Sequence, residues 1–180
     1  MSVWLKSCLI SIMLIPALAA AGCTSSAPTE GSAESYAVYE AVFLNNDEVA
    51  ELFASVRGEP PFDNVTKDYH VTTEFMPTEQ HPEWYGEQVS VHITAYAVQD
   101  IKADDGQTTA NEGFKAELGS ENPELAAYLS SLNNNYHITG AYRDAAKYTG
   151  YIDFSAGEPM DTYLTGTFGG YYSDGAIDVG

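Results

Sequence analysis

The sequence predicts an α+β domain assembled from two similar halves. Three observations lead there. Aromatic residues, among them 13 tyrosines, fall in strand-like runs; two separate stretches have helical spacing; and "YHVT" at 69–72 is nearly repeated by "YHIT" at 136–139. Each copy follows a strand and a capped amphipathic helix, so the order of elements repeats along with the motif. A pseudo-twofold packing of the halves would bring the two motif strands together at the centre.

The elements can be read in order. "YAVYEAVFL" at 36–44 is rich in aromatic and aliphatic residues, as a strand requires. At 45–57, "NNDEVAELFASVR" shifts to helical spacing, with Val49, Leu52, Phe53 and Val56 on one stripe and a capping box from Asn45 to Glu48. "GEPPFDN" breaks that helix, and "DYHVTTEFM" at 68–76 is a strand. After the loop "PTEQHPEWYG", strands are expected in "EQVSVHITAYAV" at 87–98 and "NEGFKAEL" at 111–118. "SENPELAAYLSSLN" at 120–133 is the second helix, capped by Asn122, with Pro123 at its first position and Leu125, Tyr128, Leu129 and Leu132 buried. It delivers the chain to "YHIT". The tail, "DTYLTGTFGGYYSDGAIDV", reads as two strand-like runs around glycines with "SDG" as a tight turn.

Residues 1–22 join one early positive charge, Lys6, to an apolar run over 8–21 that ends in small residues, the pattern of an export signal. The run is too short to span a bilayer comfortably, and Pro16 interrupts it. "AAGC" resembles a lipobox, with Ala20 where Leu is usual, so cleavage before Cys23 and acylation of Cys23 are expected to tether the chain to a membrane surface in a bacterial envelope. Residues 23–35 are small and polar, a flexible tether. The folded domain is expected over 36–180, where no cysteine remains and stability must come from packing.

Without the signal the chain carries six basic against 26 acidic residues, a formal charge of −20. Such a surface repels long nucleic acid, which is held mainly by Lys and Arg on phosphates. A small anion reaching a locally favourable pocket is still allowed, because salt screens distant acids over about 8–10 Å. The acidity also keeps a tethered protein soluble, and a monomer is expected.

Strand alternation puts His70 and Thr72 on one face, with Glu74 continuing it, and Tyr69, Val71 and Phe75 on the other. By the same rule His137 and Thr139 share a face, opposite Tyr136 and Ile138. Hydrolysis of a cyclic phosphodiester needs a proton taken from water, another given to the leaving oxygen, and donors for the non-bridging oxygens. Two histidines and two threonines supply these without a metal or cofactor, because imidazole titrates near 6.5 and each hydroxyl can donate.

Paired H-x-T motifs 67 residues apart, with a helix just before the second, resemble the signature of the two-histidine phosphoesterase superfamily. "GEQVSVHITAYA", "NEGFKAEL" and "GTFGG" are similar to segments of its cyclic phosphodiesterase branch, which includes a domain of fungal-type tRNA ligases. The resemblance covers most of the chain after Tyr36. It implies a bilobal α+β fold of two ferredoxin-like halves, with antiparallel sheets enclosing a central cleft. It also implies His70 and His137 as acid and base and Thr72 and Thr139 as phosphate donors. The expected activity is metal-independent hydrolysis of a 2′,3′-cyclic phosphate or related small nucleotide. The alternative from another class is a surface lipoprotein that binds a ligand or partner without chemistry.

Other residues are weighed against that cleft. Lys67, Lys115, Arg143 and Lys147 are candidate steering groups in a chain poor in positive charge, with Arg143 and Lys147 on one face of a short helix. Arg143 and Tyr171 complete the expected substrate-binding set, and Gly166, Gly169 and Gly170 are expected to shape a loop near the cleft. A third triplet, "HIT" at 92–94, lacks the preceding Tyr and helix, so His92 is read as an exposed or edge-strand residue. His81 is read as a loop residue, and Trp84 and Tyr85 as either a base-stacking pair or a plug over the core. Glu74 could support a metal with the histidines, but the chain offers no compact His/Asp/Cys cluster, and no metal is expected.

Overall fold

The computed structural model describes residues 35–102, 108–132, 135–143 and 152–180. Its eight strands form one antiparallel sheet. They are β1 (Ala37–Leu44), β2 (Asn64–Val65), β3 (His70–Phe75), β4 (Gln88–Lys102), β5 (Thr108–Ser120), β6 (His137–Tyr142), β7 (Glu158–Tyr172) and β8 (Ile177–Asp178). The spatial order is β1-β3-β6-β5-β4-β7, and β1 also pairs with β7, which closes six strands into a barrel; β2 lies on β6 and β8 on β7. Closure removes the unpaired edges an open sheet would expose. Among the described residues two helices complete the class, α1 (Asn46–Arg57) and α2 (Pro123–Ser131). Glu34–Gly180 form one compact unit. No described helix is long and apolar enough to cross a membrane. The export signal, Cys23 and the tether up to residue 34 lie outside the described residues, as does Lys147.

Both helices begin where the sequence places their caps. Asn45 Oδ1 accepts the N–H groups of Asp47 (3.0 Å) and Glu48 (3.1 Å). Asn122 Oδ1 accepts those of Glu124 (3.0 Å) and Leu125 (3.3 Å), with Pro123 at the first position. Each cap satisfies two donors the first turn leaves unpaired, a contribution of about 1 kcal/mol. α1 stops at Gly58, whose φ of 71° is a left-handed conformation that side chains disfavour.

Val49 and Phe53 of α1 and Leu125 and Leu129 of α2 are buried in one core with Val42, Val71, Val91, Phe114, Ile138 and Phe168 from the strands. Phe53 stacks on Phe114 at a centroid distance of 4.0 Å. Complete burial of each such side chain contributes about 1.5–3 kcal/mol. Leu52, Val56 and Tyr128 pack at the margin of the core rather than within it.

Among the described residues two carboxylates are fully buried; Glu40 is hydrogen-bonded through both oxygens, whereas Glu112 Oε2 has the Arg57 ion pair but no hydrogen bond. Glu40 on β1 accepts the His81 N–H (2.7 Å), the Tyr85 hydroxyl (3.1 Å) and the Tyr128 hydroxyl (3.2 Å), so it ties the 77–86 loop and α2 to the barrel. Glu112 on β5 accepts the Tyr96 hydroxyl (2.7 Å) and lies 2.8 Å from Arg57 Nη1 at the end of α1. Burial pushes the Glu112 carboxyl up, while Tyr96 and Arg57 pull the other way.

Some segments differ from what the sequence suggests. "GEPPFDN" breaks the helix as expected, yet its last residue, Asn64, opens β2 on the edge of β6, and its amide donates to the Tyr142 and Arg143 carbonyls, both at 3.1 Å. The loop at 77–86 contains a short 3-10 helix, Pro82–Trp84. Gly166, Gly169 and Gly170 do not shape a loop: they lie inside β7, paired with Leu44, Ala41 and Glu40 of β1. The "SDG" turn forms as expected, with Gly175 at φ 87°.

Arg57→Met is expected to lower stability by about 3 kcal/mol, because it strands the Glu112 carboxyl in the core. Denaturant unfolding followed by tyrosine fluorescence checks this, and a loss under 1 kcal/mol would show the pair to be dispensable.

Candidate functional site

β3 meets β6 at one register pair, Val71 with Ile138, and both residues point into the core. Each of them is the middle residue of its H-x-T motif. In an antiparallel register centred there, His70 faces Thr139 and Thr72 faces His137 across the two strands. The pairing that buries Val71 and Ile138 therefore turns all four polar side chains onto the opposite face.

On that face lies a cavity of about 350 Å³, lined by Tyr39, Thr66, His70, Thr72, Phe75, His137, Thr139 and Tyr142. The volume falls in the range of small-ligand sites. Thr66 arrives by extension of β2, its N–H donating to the Gly140 carbonyl (2.9 Å).

The phase of alternation changes just past each Thr. On β3 the partners of Ala41 and Glu40 are Thr72 and Glu74, so Thr73 is an extra residue. On β6 the partners of Gly113 and Asn111 are Thr139 and Tyr142, so two residues oppose one. These β-bulges rotate the strands. Phe75 and Tyr142 thereby join the cavity, three residues after Thr72 and Thr139. Strict alternation placed Phe75 away from His70 and Glu74 beside it, and the bulge reverses both. Glu74 instead lies 3.0 Å from the hydroxyl of Tyr128 on α2, whose one hydrogen it shares with Glu40. Among the described residues, no group of three or more His, Cys, Asp or Glu is arranged to hold a metal ion.

The two imidazoles are held alike. His70 Nδ1 lies 2.9 Å from the Asp68 carbonyl and His137 Nδ1 lies 2.8 Å from the Asn135 carbonyl, in each case two residues back. A carbonyl oxygen only accepts, so Nδ1 carries the proton and donates. Nε2 is then left as the proton-accepting atom of the neutral ring. Burial lowers both pKa values; the Asp68 carbonyl and carboxylate oppose that for His70, and the charge of His70 adds to it for His137. The His70 ring also stacks on Tyr39 at 4.9 Å, which stacks in turn on Tyr171 at 4.8 Å.

Of the residues singled out in the sequence, His70, His137, Thr72 and Thr139 come together at this cavity. Tyr171 is outside the described lining, stacked on the Tyr39 ring that in turn stacks on His70. Arg143 is not in the lining, because the bulge gives that place to Tyr142; its guanidinium lies 3.3 Å from Asp100 Oδ1 and 5.4 Å above the Phe62 ring. His92 lies on β4, between β5 and β7. It is held by Asp161 (2.8 Å) and stacked on Tyr163 at 4.2 Å, apart from the cavity lining. His81 and Trp84 stack on one another at 4.6 Å and pack against Tyr128, so the loop plugs the core. Tyr39, Thr66, Phe75 and Tyr142 were not anticipated. The signal for two of them is present in "HVTTEF" and "HITGAY", which share an aromatic three residues after the Thr.

Searches of protein-family models, curated proteins and solved structures find no match to this chain.

Since burial disfavours the imidazolium forms, both histidines are expected to be neutral with Nδ1–H at pH 7 and to take up protons only as the pH falls through values below 6.5. Long-range 1H–15N spectra across a pH titration read tautomer and midpoint together. A midpoint above 6.5 for either ring would contradict this electrostatic picture.

Proposed function

We propose that this chain is a metal-independent phosphodiesterase of the two-histidine phosphoesterase type, which hydrolyses a 2′,3′-cyclic phosphate or a related small nucleotide. The observation that carries the reading is the pair of identically held imidazoles on one cavity, each with a motif threonine beside it. One Nε2 takes a proton from water as the oxygen attacks phosphorus. The other, protonated, gives its proton to the 2′ or 3′ oxygen as that P–O bond breaks, leaving a phosphomonoester. Thr72 and Thr139 donate to the non-bridging oxygens, where negative charge grows. The apolar, aromatic part of the lining suits the sugar and base of a mononucleotide.

The strand order supports the division into two ferredoxin-like halves. Exchanging β3 with β6, β1 with β5 and β7 with β4 returns the same ring, and α1 and α2 occupy corresponding places between β1 and β3 and between β5 and β6. The proposed setting is the bacterial cell envelope, with the domain exported and anchored through lipid on Cys23; the motif "AAGC" supports it. One observation favours a second reading, a lipoprotein that binds a ligand without turning it over: among the described residues the cavity lining contains no Lys or Arg to neutralise a phosphate.

His70→Ala and His137→Ala are each expected to lower turnover of 2′,3′-cyclic mononucleotides by 10² to 10⁴ with the melting temperature little changed. Thr72→Val is expected to cost about 10². Assays with and without chelator check the metal independence, and equal turnover by His137→Ala would sink the mechanism. In the wild-type protein kcat/KM is expected to follow a bell that peaks below pH 6.5, since both pKa values are lowered. Saturable binding with no product over long incubation would favour the second reading.

A further inference from the structure

The two motif strands match each other, but the strands beside them do not. Beside β3, β1 sets Phe43 across from His70 at a ring distance of 6.1 Å and stacks Tyr39 on it. Beside β6, β5 sets Lys115 across from His137. The Ala116 N–H donates to the Tyr136 carbonyl at 2.9 Å, so the neighbouring Lys115–His137 pair is the closely spaced kind, with Cβ atoms roughly 4.5–5.5 Å apart. Phe114 and Ala116 point into the core, which puts the half-buried Lys115 on the same face as His137.

The charges around each ring therefore differ. His70 has the Asp68 carboxylate nearby and the faces of Tyr39 and Phe43 from β1, with Thr66 and Thr72 as neutral neighbours. An aromatic face and a carboxylate both favour an imidazolium. His137 has Lys115 of β5 in the cross-strand position and the charge of His70 from β3, with the hydroxyls of Thr139 and Tyr142 on its own strand. Glu117, two residues from Lys115, lies 3.7 Å from His92 on the next strand.

We propose that Lys115 is a positioning residue that polarises the cavity: it draws the phosphoryl anion to the His137 end and keeps His137 unprotonated as the base, which leaves His70 as the acid. This rests on the phosphodiesterase reading. The water proton goes to His137 Nε2 as the new P–O bond forms, and the proton on His70 Nε2 goes to the departing sugar oxygen. Lys115, in register beside His137, supplies a cation that the described part of the cavity wall lacks.

The test uses Glu34–Gly180 as wild type, Lys115→Met and Lys115→Arg. In pH titrations of the ring nitrogens, His70 is expected to titrate above His137. Lys115→Met should raise the His137 midpoint by about half a unit, the effect of a unit charge several ångströms away in a wet site. His70 should move less, and Lys115→Arg should restore the wild-type value. His137 titrating above His70, or an unmoved midpoint in Lys115→Met, overturns the proposal whether or not the protein is an enzyme. Kinetics give a second arm. An ester with a p-nitrophenolate leaving group needs little acid catalysis, so it should recover most of the rate lost in His70→Ala and little of that lost in His137→Ala. The opposite recovery overturns the assignment of roles alone, whereas no turnover of either ester by the wild type overturns the phosphodiesterase reading.

Discussion

The site depends on one backbone register. Val71 and Ile138 are apolar, β-branched and fully buried, and they oppose each other where β3 meets β6. A slip of one residue would carry both histidines and both threonines into the core and both apolar residues out to the cavity. That slip would bury four polar side chains away from water, so the register that satisfies the core also assembles the candidate site. The hydrophobic pattern thus does two things at once: it holds the barrel together at its centre, and it brings groups 67 residues apart in the chain onto one face.

The bulges extend that arrangement. Beyond each Thr, an extra residue shifts the alternation, so that an aromatic ring rather than the next alternate residue lines the cavity. Gly140 sits at the β6 bulge because the space is taken: a Cβ there would lie 2.5 Å from the Phe53 ring and 2.6 Å from Glu112 Oε2. The bulge is consequently tied to the buried Arg57–Glu112–Tyr96 group beneath it. Glu40 holds the second half of the scaffold, where its carboxylate joins the loop at 77–86 to α2 through the His81 N–H and the hydroxyls of Tyr85 and Tyr128. Burial raises the pKa of both tyrosines, so these hydroxyls stay protonated and remain donors.

The likeness of the two motif strands stops at the strands beside them, β1 and β5. Identical carbonyl contacts fix the same tautomer in His70 and His137, yet Tyr39 and Phe43 flank one and Lys115 the other. Like backbone contacts with unequal neighbours are a physical route to unequal proton affinities in two similarly held rings.

The sequence by itself determined the two helices, because Asn45 and Asn122 act through atoms two and three residues away and the apolar stripes repeat at 3.6 residues. It also determined the motif strands, and that His70 goes with Thr72 and His137 with Thr139, since period-2 alternation is local. Tertiary structure decided the rest. Closure of the barrel through β1 and β7 is a long-range pairing with no local signal, and β2 arises in a Pro-rich breaker because β6 offers it an edge. The places of Phe75, Glu74, Tyr142 and Arg143 follow from bulges, which exist only relative to a partner strand. Whether Lys115 or Phe43 stands next to a given histidine is likewise fixed by cross-strand register, which joins residues that the linear chain keeps far apart.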